Sequence, residues 1–97
     1  MYEITFIAPY EELYDMVKKV IKQKGFNNIR VVLGDLRNGL KEAGKAVDMG
    51  TNIIISRGGT YKLIKEEMNV TVVELQISAY DIVKSIKNIL DVQKPIA

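Results

Sequence analysis

The sequence from residue 52 to residue 60 reads Asn52-Ile53-Ile54-Ile55-Ser56-Arg57-Gly58-Gly59-Thr60. Three β-branched apolar residues in succession are typical of a strand that a parallel sheet buries on both faces. The strand ends at Ser56, and a helical pattern starts at Thr60, directly after two glycines. The stretch therefore predicts a buried strand, a glycine-rich turn and the amino terminus of a helix.

This junction is a candidate anion site. The first N–H groups of a helix have no partner within the helix, and they lie at the positive end of its dipole. Arg57 adds a permanently charged guanidinium that can pair with a carboxylate or a phosphate. Paired glycines also serve tight turns that bind nothing, so they are a weak signal when taken alone. With Arg57 beside them, we expect an anionic small molecule to bind here.

The same strand-and-helix pattern recurs along the chain. Strands are predicted at residues 2–8, 28–33, 52–56 and 70–75, and helices at residues 9–24, 36–49, 60–69 and after residue 78. Such alternation implies a parallel sheet, right-handed crossovers and helices on both faces. We expect a flavodoxin-like three-layer α/β sandwich with strand order 2-1-3-4. We interpret residues 1–92 as one α/β lobe and residues 93–97 as a truncated linker toward a missing second lobe.

Some residues beside these elements are predicted to end helices or to permit close packing. Gly25 and Gly50 are expected to end the first and second helices, because glycine readily adopts the left-handed conformation found there. Asp35 is predicted to cap the second helix, an interpretation we favour over a ligand contact. Gly44 predicts a close approach of that helix to the sheet. Ser78 fits equally well as the N-cap of the fourth helix and as a ligand contact.

The predicted strand order also locates the candidate site. The crevice of such a sheet opens beyond the carboxyl ends of strands one and three, where the winding reverses. Pro9 and Tyr10 would face the Arg57 turn across this crevice, with Pro9 as a candidate rim residue. Strand four neighbours strand three, so Ser78 and Tyr80 would complete the rim. Tyr80 fits packing on the sheet better than stacking on a ligand.

Composition narrows the chemistry that is available to the chain. It has 97 residues, a net charge of +2, no cysteine and no histidine. Thiolate catalysis, zinc ligation by sulfur and Ser-His-Asp catalysis are therefore excluded. The small net charge does not predict nucleic-acid contact, and no apolar run approaches the ~20 residues that span a bilayer. We expect a cytoplasmic, non-enzymatic domain with no cofactor, no metal, no membrane contact and no direct nucleic-acid contact.

Other functions of this fold class lack their motifs. A phosphoacceptor receiver domain needs clustered acids after strand one and an aspartate at the end of strand three, where the chain has Ala8-Pro9 and Ser56. Glu11 and Glu12 would repel the phosphate of a flavin. The Walker and dinucleotide-binding glycine motifs are also missing.

Two further hypotheses stay open beside ligand binding. The chain could be a small phosphate-ester-handling enzyme that uses Ser56 or Thr60 beside Arg57, although no base is visible in the sequence to activate either hydroxyl. It could also be a self-assembling structural module, in which an exposed apolar surface or sheet edge leads to association, for example as a homodimer.

Two motifs and the strand between them resemble a known family. They read Ile54-Ile55-Ser56-Arg57-Gly58-Gly59-Thr60, then Val72-Val73-Glu74, then Ile77-Ser78-Ala79-Tyr80-Asp81-Ile82. Together they are similar to the N-terminal sensor domain of the propionate catabolism activator family. The chain departs from the family pattern at Thr71, where proline is usual, and at Ala79, where glycine is usual. Ala79 could narrow the space beside Ser78 and so bears on which ligand fits.

The resemblance implies a sensor of transcription activators. In that family the sensor precedes an AAA+ ATPase, which drives a sigma-54-dependent polymerase, and a DNA-binding helix-turn-helix. The sensor has two lobes that bind an organic acid between them, 2-methylcitrate in the namesake proteins, and this chain is similar to the first lobe only. The implied partners are a small organic acid, a second lobe and the ATPase domain. The implied ligand contacts are Ser56, Arg57, Gly58, Gly59, Thr60 and Ser78.

Overall fold

The computed structural model describes residues 2–76 of the chain, in which strands and helices alternate. The elements are β1 (Ile4–Ala8), α1 (Glu11–Lys24), β2 (Ile29–Leu33), α2 (Leu36–Asp48), β3 (Ile53–Ser56), α3 (Gly58–Glu67) and β4 (Thr71–Glu74). The predicted fourth helix, Ser78, Ala79, Tyr80 and the predicted linker at residues 93–97 lie outside the described residues.

The four strands form one parallel sheet in the order β2-β1-β3-β4. Ile4 of β1 pairs with Ile29 of β2 on one side and with Ile53 of β3 on the other. Ile53 in turn pairs with Thr71 of β4. The predicted α/β architecture and strand order are confirmed. The winding reverses between β1 and β3, so the two strands present their carboxyl ends side by side.

Helices cover both faces of the sheet, because successive residues of each strand point to opposite sides. Ile7 packs with α2 and α3, while its neighbours Phe6 and Ala8 pack with α1. The first core comprises Ile7, Ala43, Ala46, Ile54 and Ile64, and the second comprises Phe6, Ala8 and Leu13. The central strand β1 thus contributes to both cores and is almost completely buried.

Glycines shape the ends and the packing of the helices. Gly25 and Gly50 both have positive φ, 69° and 105°, and follow α1 and α2 as predicted. The prediction for Gly44 is wrong, since a β carbon there would meet nothing within 4 Å. A close approach occurs instead at Gly39, toward α3 and the connection that precedes α2. A β carbon at that position would lie 2.9 Å from the carbonyl oxygen of Gly34 and against the methyl group of Thr60.

The face that α1 covers also carries an apolar groove of about 310 Å³. It lies between α1 and the sheet and is lined by Phe6, Leu13, Met16, Val17, Val20, Ile21, Phe26, Ile29, Ile55 and Leu75. Within residues 2–76, α1 is the helix on this face, whereas α2 and α3 share the other. Among the same residues, no helix combines the length and apolar character needed to cross a bilayer.

Candidate functional site

Three strand-to-helix connections meet at the carboxyl edge of the sheet. Pro9 and Tyr10 link β1 to α1, Gly34 and Asp35 link β2 to α2, and Arg57 links β3 to α3. Backbone hydrogen bonds hold the edge together: Gly34 donates to the Ala8 carbonyl at 2.9 Å, and Leu75 donates to the Ser56 carbonyl at 2.8 Å. The connections after β1 and β3 are neighbours because these two strands pair directly.

The amino terminus of α3 lies at this edge and is formed by the glycine pair. Arg57 occupies the N-cap position in an extended conformation, and its side chain makes no capping hydrogen bond. Gly58 follows with φ of 60°, a left-handed conformation that glycine adopts without strain. Gly58 and Gly59 are both exposed, so solvent or a ligand can approach their backbone. Helix α3 starts two residues earlier than predicted, and the two glycines belong to its first turn rather than to a preceding loop.

Arg57 reaches across the switch point to Tyr10. Its Nη1 donates a hydrogen bond of 2.8 Å to the Tyr10 hydroxyl. The central guanidinium carbon also lies 5.7 Å from the centre of the Tyr10 ring, within the range of a cation–π interaction. Both residues are half-buried. The guanidinium therefore lies at the junction of β1 and β3 and does not extend into solvent.

The neighbouring helix termini differ in charge. The first turn of α1 carries Glu11 and Glu12, whereas the first turn of α3 carries no acidic residue. An anion is repelled by the two carboxylates and attracted by the dipole of α3 together with Arg57. Of the two helix termini that flank the switch point, α3 is the one suited to an anion.

Ser56 lies beneath the edge and not on it. Its side chain is 0% exposed, and its hydroxyl donates a hydrogen bond of 2.8 Å to the Ile7 carbonyl. This hydrogen bond thus joins β3 to β1 inside the sheet. A ligand contact by Ser56 stays a prediction, and the structure shows a hydroxyl that fixes the end of the strand below Arg57.

Thr60 joins α3 to the start of α2. Its hydroxyl accepts a hydrogen bond of 2.8 Å from the Leu36 N–H and donates one of 2.9 Å to Oδ1 of Asp35. The Thr60 side chain is 1% exposed. Asp35 occupies the predicted N-cap position of α2, but its side chain makes no capping hydrogen bond. The predicted N-cap position of Asp35 is confirmed, but its carboxylate accepts from Thr60 and does not bond to the first turn of α2.

Leu36 is an unpredicted feature of the edge. It has φ of 48°, which is unfavourable for a residue with a β carbon. Its side chain is 50% exposed, and a β carbon at Gly59 would lie 3.2 Å from its Cδ2. The hydrogen bond to Thr60 holds this conformation, so an apolar side chain lies beside the glycine turn. Nothing in the local sequence signals this arrangement.

The structure therefore brings part of the predicted site together. Pro9, Arg57, Gly58 and Gly59 lie along the edge, and Ser56 and Thr60 lie buried behind it. Ser78 and Tyr80 fall outside the described residues. Tyr10 was expected to face the turn but was not singled out as a contact, and its position directly after the end of β1 was the available signal.

Two other features bear on the chemistry of the described chain. Among residues 2–76, no cluster of three or more acidic side chains is placed to hold a metal ion. One turn beyond the site, Lys65 donates a hydrogen bond of 3.1 Å to the Tyr61 hydroxyl, which raises the pKa of Lys65 above its ordinary value. The Lys65 side chain is exposed to solvent.

Comparison with protein-family models gives a match. The family model described as propionate catabolism activator matches residues 23–97, which is well over half of the chain. The matched range includes α2, β3, α3 and the whole Arg57 turn. No curated protein and no solved structure matches the chain.

Proposed function

The chain belongs to the propionate catabolism activator family, in its N-terminal regulatory domain, and from this premise we propose that it senses a small organic carboxylate. The proposal rests chiefly on one observation: Arg57 lies at the switch point of the sheet together with the first turn of α3, which the Arg57 side chain does not cap. A guanidinium and helix-terminal N–H groups are the donors that carboxylates prefer. In a regulatory domain of this family, such a site would bind the small molecule that the domain senses.

The residues divide into two roles in this proposal. Arg57 and the backbone N–H groups of Gly58 and Gly59 contact the carboxylate. Ser56 and Thr60 support the turn from behind, since each hydroxyl already bonds within the protein. Ser78 is a further contact in the proposal.

The mechanism is a shift between two arrangements of a two-lobed sensor. A polycarboxylate has more than one carboxylate group. If Arg57 binds one of them and a second lobe binds another, the ligand bridges the two lobes and favours a closed arrangement. Closure would change the contacts with an AAA+ ATPase domain that drives transcription by a sigma-54-dependent polymerase. The sensor itself would carry out no reaction, need no cofactor and leave DNA contact to another domain.

The enzyme hypothesis has a weaker basis. Thr60 has a carboxylate acceptor in Asp35, as an activated hydroxyl nucleophile would need. However, the side chains of Ser56 and Thr60 are 0% and 1% exposed. A hydroxyl that is enclosed in this way does not reach a substrate, so no observation favours this function over ligand binding.

Replacing Arg57 tests the proposed function. In isothermal titrations of the full-length regulator with succinate, citrate and 2-methylcitrate, we expect Arg57→Ala to weaken binding about tenfold or more, the usual cost of losing a charged hydrogen-bond donor. Arg30→Ala is the matched control. It removes the same charge from β2, where Arg30 contacts Met49 far from the carboxyl edge. Equal losses for the two variants would indicate a general charge effect and would refute the assigned site.

A further inference from the structure

We infer that Tyr10 is a positioning residue of the carboxylate site, which holds the Arg57 guanidinium against the end of β1 and shares the bound anion with it. This inference rests on the proposed function, since it concerns the same site. It places the anion between the carboxyl ends of β1 and β3 and not at the α3 terminus alone. No motif in the sequence assigns Tyr10 this role.

The first basis is the double contact between the two side chains. The Tyr10 hydroxyl accepts from Nη1 of Arg57 at 2.8 Å, and the ring lies below the guanidinium at 5.7 Å. An arginine side chain has many rotamers, and ordering it costs free energy when a ligand binds. Tyr10 orders the guanidinium in advance, so less of that cost falls on the binding step.

The second basis is the proton of the Tyr10 hydroxyl. A phenol has one proton to donate and can also accept, and here it accepts from Arg57. The hydrogen bond that the structure shows for this hydroxyl within residues 2–76 is the one it accepts, which leaves its proton for a ligand. A carboxylate beside the guanidinium would supply one, and the contact with Arg57 polarises the hydroxyl and strengthens its donation.

The third basis is the backbone around Tyr10. Tyr10 is the extended N-cap residue of α1, its side chain makes no capping bond, and its carbonyl accepts from the Tyr14 N–H at 3.1 Å. The side chain is therefore not needed to start the helix. Glu11 and Glu12 follow it and repel an anion from the α1 terminus. These charges leave the Arg57 side of Tyr10 as the favourable position for a carboxylate.

The test uses the full-length regulator with citrate and 2-methylcitrate as probes. Tyr10→Phe keeps the ring and removes the hydroxyl, and we expect it to weaken binding about tenfold, as for a lost hydrogen bond to a charged group. Tyr14→Phe is the matched control. Tyr14 lies one turn further along α1, where Lys18 is 5.5 Å from its ring. This control should change the affinity by less than about twofold.

A double-mutant cycle distinguishes positioning from a structural effect. In the Arg57→Ala background, we expect Tyr10→Phe to weaken binding clearly less than it does in the unaltered protein, because the anion has lost the group that Tyr10 positions. In the free protein, the NMR resonance of the Arg57 Nε–Hε group should shift in Tyr10→Phe and stay in place in Tyr14→Phe. This second measurement requires no ligand and also shows that the variant is folded.

The outcomes separate this inference from the proposed function. If Arg57→Ala weakens binding and Tyr10→Phe does not, the role of Tyr10 is refuted and the carboxylate site survives. Equal effects of Tyr10→Phe with and without Arg57 would also refute positioning. If the unaltered regulator binds neither probe, both the proposed function and this inference fail together.

Discussion

Thr60 links the two helix termini at the carboxyl edge through a single hydroxyl. It accepts from the Leu36 N–H, and this bond holds Leu36 in a left-handed conformation that costs about 1 kcal/mol for a residue with a β carbon. The Thr60 hydroxyl also donates to Asp35, so this buried group acts both as an acceptor and as a donor. Gly58 begins α3 with a similar φ of 60° but needs no such support, since glycine is not strained there.

Thr60→Val should therefore destabilise the protein more than the small change in side-chain size suggests. Valine has nearly the same shape but leaves the Leu36 N–H and the Asp35 carboxylate without their partner, at a cost of about 1–3 kcal/mol in the free energy of unfolding. Urea denaturation measures this cost. Thr71→Val, at an exposed position of β4, is the control and should change stability by less than about 0.5 kcal/mol. Equal effects of the two substitutions would show that the Thr60 hydrogen bonds contribute nothing.

At the scale of the element, the two ends of α1 differ in how deeply their apolar side chains are buried. Leu13 is 0% exposed and belongs to the core with Phe6 and Ala8, whereas Val20 is 44% exposed although both positions carry apolar residues. The apolar residues of α1 are thus buried near its start and more exposed toward its end, along the groove. The basic residues Lys22 and Lys24 occupy the last turn, as the helix dipole favours.

Alanine substitutions along α1 should follow this difference. Leu13→Ala leaves a cavity and should lower the free energy of unfolding by about 2–5 kcal/mol. Val20→Ala removes side-chain atoms that are already in contact with water and should cost less than about 1 kcal/mol. Thermal or urea unfolding of both variants gives the comparison. A loss at Val20 as large as that at Leu13 would mean that the groove is covered in solution.

The elements were predicted well where local pattern determines them. Alternation of strand and helix patterns gave the parallel sheet and its order, and Gly25 was identified as the end of α1. The start of α3 was missed because Gly58 and Gly59 have low helix propensity and are typical of a turn. The partner of Asp35 was missed because Thr60 is distant in sequence and the contact depends on how α2 packs against α3. The Arg57–Tyr10 contact likewise exists only once β1 and β3 are paired.

At the scale of the whole molecule, the proposed site forms one wall of the cleft between the two proposed lobes. Arg57, Gly58 and Gly59 offer donors on one side, and the ligand of a two-lobed sensor needs donors from the other lobe as well. The proposed mechanism predicts that the 97-residue chain binds citrate and 2-methylcitrate much more weakly than a protein that also contains the second lobe. Isothermal titration of both proteins measures the difference. Micromolar binding by the 97-residue chain alone would contradict the two-lobed mechanism.

The most direct test of the carboxylate site is an NMR titration of the ¹⁵N-labelled chain with citrate, which detects weak binding residue by residue. We predict that the backbone amide resonances of Gly58 and Gly59 shift progressively and saturate, while those of Gly25 and Gly44, away from the carboxyl edge, stay in place. Arg57→Ala should raise the citrate concentration needed for these shifts about tenfold or more. Unchanged Gly58 and Gly59 resonances at millimolar citrate, or larger shifts beside the lysines near Gly25, would contradict an anion site at the amino terminus of α3.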